Sequence, residues 1–177
     1  MNQQIMIVDD FYDIAHKYHK SFSEDNCLIT EETVDKISYL LGNKVELIGA
    51  FNETIIENTK NNITANFQSD WIAVIYLTMP SECVFKTGIS FYTHIKTKLD
   101  YFPDDYTKEL LGISSMEDIV KTFDVEIEED WKKYSDIFVK YNRLVLFRAN
   151  YWHSYGEGFG NNLNNSMIYQ KVLLRNV

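Results

Sequence analysis

The chain has little of what would commit it to a special class. Cys27 and Cys83 are its two cysteines, far apart in 177 residues. They fit no metal-ligand spacing and read as free thiols in a reducing compartment rather than as a disulfide. Basic residues are also short: 17 Lys and Arg against 26 Asp and Glu leave a net charge of −9, which argues against a phosphate backbone as partner. No apolar run is long enough to span a bilayer, so no membrane partner is expected. Met1, Asn2, Gln3 and Gln4 lack the charged-then-apolar layout of a signal peptide. Glycine, proline and alanine are scarce beside Asn, Lys, Ile and Tyr, a coding bias that says little about chemistry. What is present suffices for a core, with 45% apolar and 15% aromatic residues. The expectation is one domain over residues 1–177, in a cytoplasmic setting.

Hydrophobic periodicity divides the chain into a helical first quarter and a strand-rich remainder. After a short apolar run at 5–8, Phe11, Ile14, Ala15, Tyr18 and Phe22 recur at spacings of three and four, predicting an amphipathic helix capped by Asp9 or Asp10. A second helix opens at Thr30, gains from the acidic pair Glu31 and Glu32 in its first turn, buries Val34, Ile37, Leu40 and Leu41, and stops at Gly42. Residues 1–43 are thus expected to be helical. The period then changes, and 44–51, 54–57, 62–67, 71–77 and 88–95 read as successive strands, of which 71–77 is the most deeply buried. Pro80 ends that strand. Residues 99–140 are acidic, with Trp131, Tyr134 and Phe138 at roughly helical intervals, and are expected to be a helical or irregular insertion. Residues 141–149 and 167–174 are the last strands, joined by a flexible turn through Gly156, Gly158, Gly160 and 161–165. Two helices followed by about seven or eight strands predict an α+β protein with a sandwich or barrel.

The stretch 141–154 carries the chemistry. Leu144, Val145, Leu146 and Phe147 read as a buried strand, and His153 follows it between Trp152 and Tyr155. A histidine in such a setting is either a satisfied core residue or a metal ligand or proton carrier.

Several stretches, in order, resemble the small prolyl-hydroxylase-like iron(II)/2-oxoglutarate oxygenases of bacteria and phages. They are Ile7-Val8-Asp9-Asp10-Phe11, the run 71–77 followed by Met79-Pro80, Thr87-Gly88-Ile89-Ser90-Phe91-Tyr92, and above all 141–154 with Gly158-Phe159-Gly160. The resemblance implies a double-stranded β-helix (a cupin-like jelly roll) with the N-terminal helices packed on one sheet. It also implies iron held by two histidines and one carboxylate, with neighbouring positions left for 2-oxoglutarate and dioxygen. His153 matches the distal ligand. The proximal His-x-Asp pair falls on Thr64-Ala65-Asn66, whose hydroxyl and amide replace imidazole and carboxylate. The arginine expected to fork onto the far carboxylate of 2-oxoglutarate falls on Met167. Lys171, of the same strand parity, or Arg175 could supply that cation, and Tyr92, Tyr151, Trp152 and Tyr155 are expected to line the barrel mouth. His94, Asp70 and Glu57 are further candidates for a rebuilt metal site. His16 and His19 lack the spacing of a helical metal pair.

Two readings of function follow. One is an oxygenase fold that has lost its iron site and serves as a binding or structural module, with a protein or small-molecule partner, self-association or a place in a virion. The other is an active, divergent hydroxylase using Fe(II) and 2-oxoglutarate, with His153 joined by non-standard ligands.

Overall fold

The computed structural model describes residues 5–22, 26–57, 62–83, 87–162 and 165–177. Met1 to Gln4, and two residues of the expected turn at 161–165, lie outside them. The chain forms a mixed α+β fold of two antiparallel sheets. Strand β1 (Ile5–Val8) precedes helices α1 (Ala15–Lys20) and α2 (Glu31–Leu41). Then come β2 (Val45–Ile55), β3 (Trp71–Tyr76), β4 (Gly88–His94), α3 (Asp105–Leu110), α4 (Met116–Thr122), β5 (Trp131–Phe138), β6 (Leu144–Arg148), β7 (His153–Ser154) and β8 (Met167–Asn176). The larger sheet has the order β1-β6-β3-β8-β2 and the smaller β5-β4-β7.

Strand β3 lies between β6 and β8 and is buried at every position. Its alternation of faces explains the unbroken apolar run: both sides are covered. Trp71, Ala73 and Ile75 pack with Phe11, Ile37, Leu144, Leu146 and Val172 beneath the helices. Ile72, Val74 and Tyr76 pack with Ile89, Phe91, Phe147 and Tyr169 between the sheets. A third cluster joins Ile119, Phe123, Trp131 and Trp152, packing the 99–130 region onto the outer face of the smaller sheet.

Several expected elements fall differently. The runs 44–51 and 54–57 are one strand, β2, with a register shift between Leu47 and Gly49. Residues 62–67 contribute a single bridge, Thr64 to His153, rather than a strand. The end of the expected insertion is strand β5. A bulge lies opposite Phe91 and Tyr92, where the register passes from Ser135 to Lys133 and Tyr134 is the extra residue. That extra residue breaks the period of two and gives Trp131, Tyr134 and Phe138 their helix-like spacing. Asp9 does not cap α1, whose N-cap position is Ile14. Its carboxylate instead bonds Arg143 Nε and Lys140 Nζ, each at 2.7 Å, contacts that hold its pKa down at about 2. Helix α2 is capped as expected: the Thr30 hydroxyl accepts from Thr33 N–H, and Gly42 closes the helix in the left-handed conformation.

The glycine-rich stretch is packed rather than loose. A Cβ at Gly158 would lie 2.0 Å from the Ile56 carbonyl oxygen, and one at Gly156 would lie 2.2 Å from that of Gly88. Close backbone approach requires glycine at both. The stretch straps the end of β2, where Glu57 N–H bonds the Gly160 carbonyl at 2.9 Å.

Asn142 fastens the N-terminal segment to the strands. Its side chain accepts from Tyr12 N–H and donates to the Tyr12 carbonyl, both at 2.8 Å, while its own carbonyl accepts from Phe11 N–H at 3.0 Å. It does this with φ at 60°, a conformation asparagine tolerates better than most residues. Replacing Asn142 by alanine should cost on the order of 3 kcal/mol, because two buried backbone groups lose their partners. The urea midpoint should fall with an unchanged slope, and a shift within error of wild type would contradict this role for Asn142.

Candidate functional site

Strand β7 places His153 on the inward face of the smaller sheet. It pairs with Phe91 of β4 on one side and with Thr64 on the other. Thr64 N–H bonds the His153 carbonyl at 2.8 Å, and His153 N–H bonds that of Thr64 at 2.9 Å. Thr64, one of the two residues that the resemblance puts at the proximal pair, is therefore a direct backbone neighbour of His153.

The imidazole is 1% exposed and stands edge-on to the rings of Phe147 and Tyr155, with centroids 4.9 and 5.2 Å away. Its Nδ1 lies 2.8 Å from the Tyr151 carbonyl oxygen. A carbonyl can only accept, so Nδ1 carries the proton and Nε2 carries the lone pair. The Tyr155 hydroxyl, 3.3 Å from Nε2, donates to that lone pair. Burial is the main cause that lowers the pKa of His153 from 6.5 to about 4; the Tyr151 hydrogen bond opposes the shift and the Lys171 charge adds to it. At neutral pH the ring is uncharged, with its one available ligand nitrogen engaged by a phenol.

The other predicted residues are distributed around this point. Asn66 Oδ1 accepts from Gln68 N–H, Ser69 N–H and the Ser69 hydroxyl, closing a turn. Its amide oxygen is spent on local backbone. Met167 is fully buried within the inter-sheet core. Lys171 lies on β8 of the larger sheet, its ammonium 2.6 Å from Glu53 Oε1 and over the Tyr155 ring at 5.7 Å. Arg175 is exposed, and its Nη2 bonds the Gln68 carbonyl at 3.3 Å.

Tyr92 and Trp152 pack with the third cluster on the outer face, where Tyr92 Oη lies 3.0 Å from Ser154 Oγ. Tyr151 and Tyr155 pack with the inter-sheet core. His94 is fully buried on the outer side against Phe123 and Trp131, with Nδ1 3.0 Å from Thr97 Oγ1. Asp70 Oδ2 accepts from Asn176 N–H, and Glu57 is exposed beside Gly158.

Iron(II) held in this place would need a free imidazole nitrogen and a charge-neutralising carboxylate. The groups present do not fit it: the lone pair is capped, Asn66 closes its turn, and Thr64 offers a neutral hydroxyl. Among the described residues, no three His, Cys, Asp or Glu side chains are grouped so as to hold a metal ion. Glu53 and Tyr169 belong to the same interior and escape a sequence reading. Glu53 meets Lys171 118 residues away, and Tyr169 stacks on Tyr155 with centroids 5.4 Å apart.

A scan against models of known protein families finds no match, and a search of curated proteins finds no relative. Among solved structures, HygX from Streptomyces hygroscopicus, solved with nickel and 2-oxoglutarate bound, aligns with 99% of this chain and 83% of its own. The TM-score is 0.47 and the identity 7%.

The buried imidazole makes stability depend on pH. Between pH 6.5 and about 4 the unfolded chain binds a proton at His153 and the folded chain does not. Stability contributed by the neutral ring is therefore full above pH 6.5 and falls as pH falls to about 4, by about 3 kcal/mol from this residue. Urea unfolding at pH 7 and pH 4.5, compared with His153→Phe, should isolate that slope. NMR titration should show the ring neutral at pH 5, and a midpoint near 6.5 would refute the assignment.

Proposed function

We propose that this chain is an oxygenase-like jelly roll that has lost its iron site and works as a binding or structural module. The observation that carries this reading is the state of His153: its lone-pair nitrogen accepts from the Tyr155 hydroxyl inside a buried aromatic interior. Asn66 and Met167 support it, one committed to a turn and the other to the core. The jelly-roll reading is supported by the strand order: β2, β8, β3 and β6 adjoin in one sheet. Thr64, β7, β4 and β5 adjoin in the other. The prolyl-hydroxylase subtype and a phage setting rest on the sequence resemblance alone. The partner is a protein or a small molecule, and self-association or a place in a virion belongs to the same proposal. The net charge of −9 disfavours nucleic acid, and no described helix is long and apolar enough to cross a membrane.

The test is an anaerobic titration of the purified chain with iron(II) and 2-oxoglutarate, followed by visible absorption and thermal unfolding. The expected result is no charge-transfer band and a change in Tm below about 1 °C, because a ligand bound to the native state would raise stability with its concentration. A band accompanied by a clear rise in Tm would overturn the proposal in favour of a divergent hydroxylase built around His153.

A further inference from the structure

Strand β8 alternates between two environments. Met167 and Tyr169 face the smaller sheet, while Ile168, Val172 and Leu174 face the helices. Lys171 has the parity of Met167 and Tyr169, so a cation projects from the core-facing side of an interior strand, paired with Val74 and Phe51. Such a charge is costly unless it is paired. Its partner is Glu53 on the edge strand β2, at 2.6 Å. Its ammonium also lies over the rings of Phe51 and Tyr155, at 5.2 and 5.7 Å. Tyr155 in turn stacks on Tyr169 and caps His153. The contacts run continuously from Glu53 through Lys171 and Tyr155 to His153. The outer end is open: the Lys171 side chain is 23% exposed and that of Glu53 is 36% exposed.

We propose that the Lys171 ammonium, held over the rings of Phe51 and Tyr155, is a carboxylate-binding site whose resident occupant is the chain's own Glu53. The inference rests on the reading of the interior given under Proposed function and deepens it. The two groups able to hold an external ligand, a cation and an imidazole lone pair, are answered by an internal carboxylate and an internal phenol. Glu53 is held by charge at a rim that solvent reaches, so a free carboxylate of similar size fits once the side chain is removed. Acetate supplies the same atoms that Glu53→Ala deletes beyond Cβ.

The experiment is chemical rescue of Glu53→Ala, followed by thermal unfolding at equal ionic strength in sodium acetate, sodium chloride, or chloride with acetamide. The expected result is a lowered Tm in chloride and recovery of about half the loss in roughly 100 mM acetate, as for a ligand that binds only the folded state. The expectation includes no comparable gain for wild type, for Glu53→Ala/Lys171→Met, or with acetamide. Equal recovery with acetamide would mean that the space is filled without charge recognition, and absence of recovery would mean that no such site exists; either overturns the proposal. Should Glu53→Ala not fold in chloride, refolding from urea in acetate against chloride gives the same decision. Acetate-dependent return of the circular dichroism signal supports the site and its absence refutes it. Failure here leaves the iron titration of the wild-type chain untouched, and iron binding there leaves the rescue result standing.

Discussion

Everything in this molecule depends on covering both faces of one strand. β3 is buried at all its positions, and neither of its faces can be left to water. One face draws down the helices through Phe11, Ala15 and Ile37, and the other draws in the smaller sheet through Ile89 and Phe91. β3 buries three side chains on each face, and each large apolar one contributes roughly 1.5–3 kcal/mol, above any single polar contact on the surface. Polar side chains carried into the interior face the same demand for cover, and His153 and Lys171 meet it with partners from the chain.

The interior follows the same rule. A buried imidazole can stay neutral, donate from one nitrogen and accept at the other, and His153 does all three between Tyr151 and Tyr155. Metal-ligating histidines in general use the same tautomer, with one ring nitrogen bonded to protein and the other turned toward the ion. Here the second nitrogen meets a phenol. The aromatic fill that lowers its basicity also excludes the water that a charged ring would need. Lys171 is handled in parallel, since its charge is kept by supplying Glu53 rather than by withdrawing to solvent.

On the opposite side of the smaller sheet, Tyr92, Trp131 and Trp152 join the cluster that anchors the acidic 99–130 region. Tyr151, Trp152, His153 and Ser154 alternate in direction, so aromatic neighbours in sequence serve different cores. A list of aromatics near a histidine is thus a poor guide to which of them share its surroundings.

The sequence determined the elements whose signals are local. The stop at Gly42, the cap at Thr30 and the buried run of β3 were legible because periodicity and capping chemistry are written in neighbouring residues. Bulges were not legible, and one extra residue at Tyr134 made a strand look helical. Nor were the pairings that define the interior. Glu53 with Lys171, and Asn142 with Tyr12, join residues more than a hundred positions apart, and nothing in either segment names its partner. Even the role of Asn66 depended on the turn it closes. Sequence fixes what each side chain can do, whereas only the packed sheets decide which of those capacities is already taken by another part of the chain.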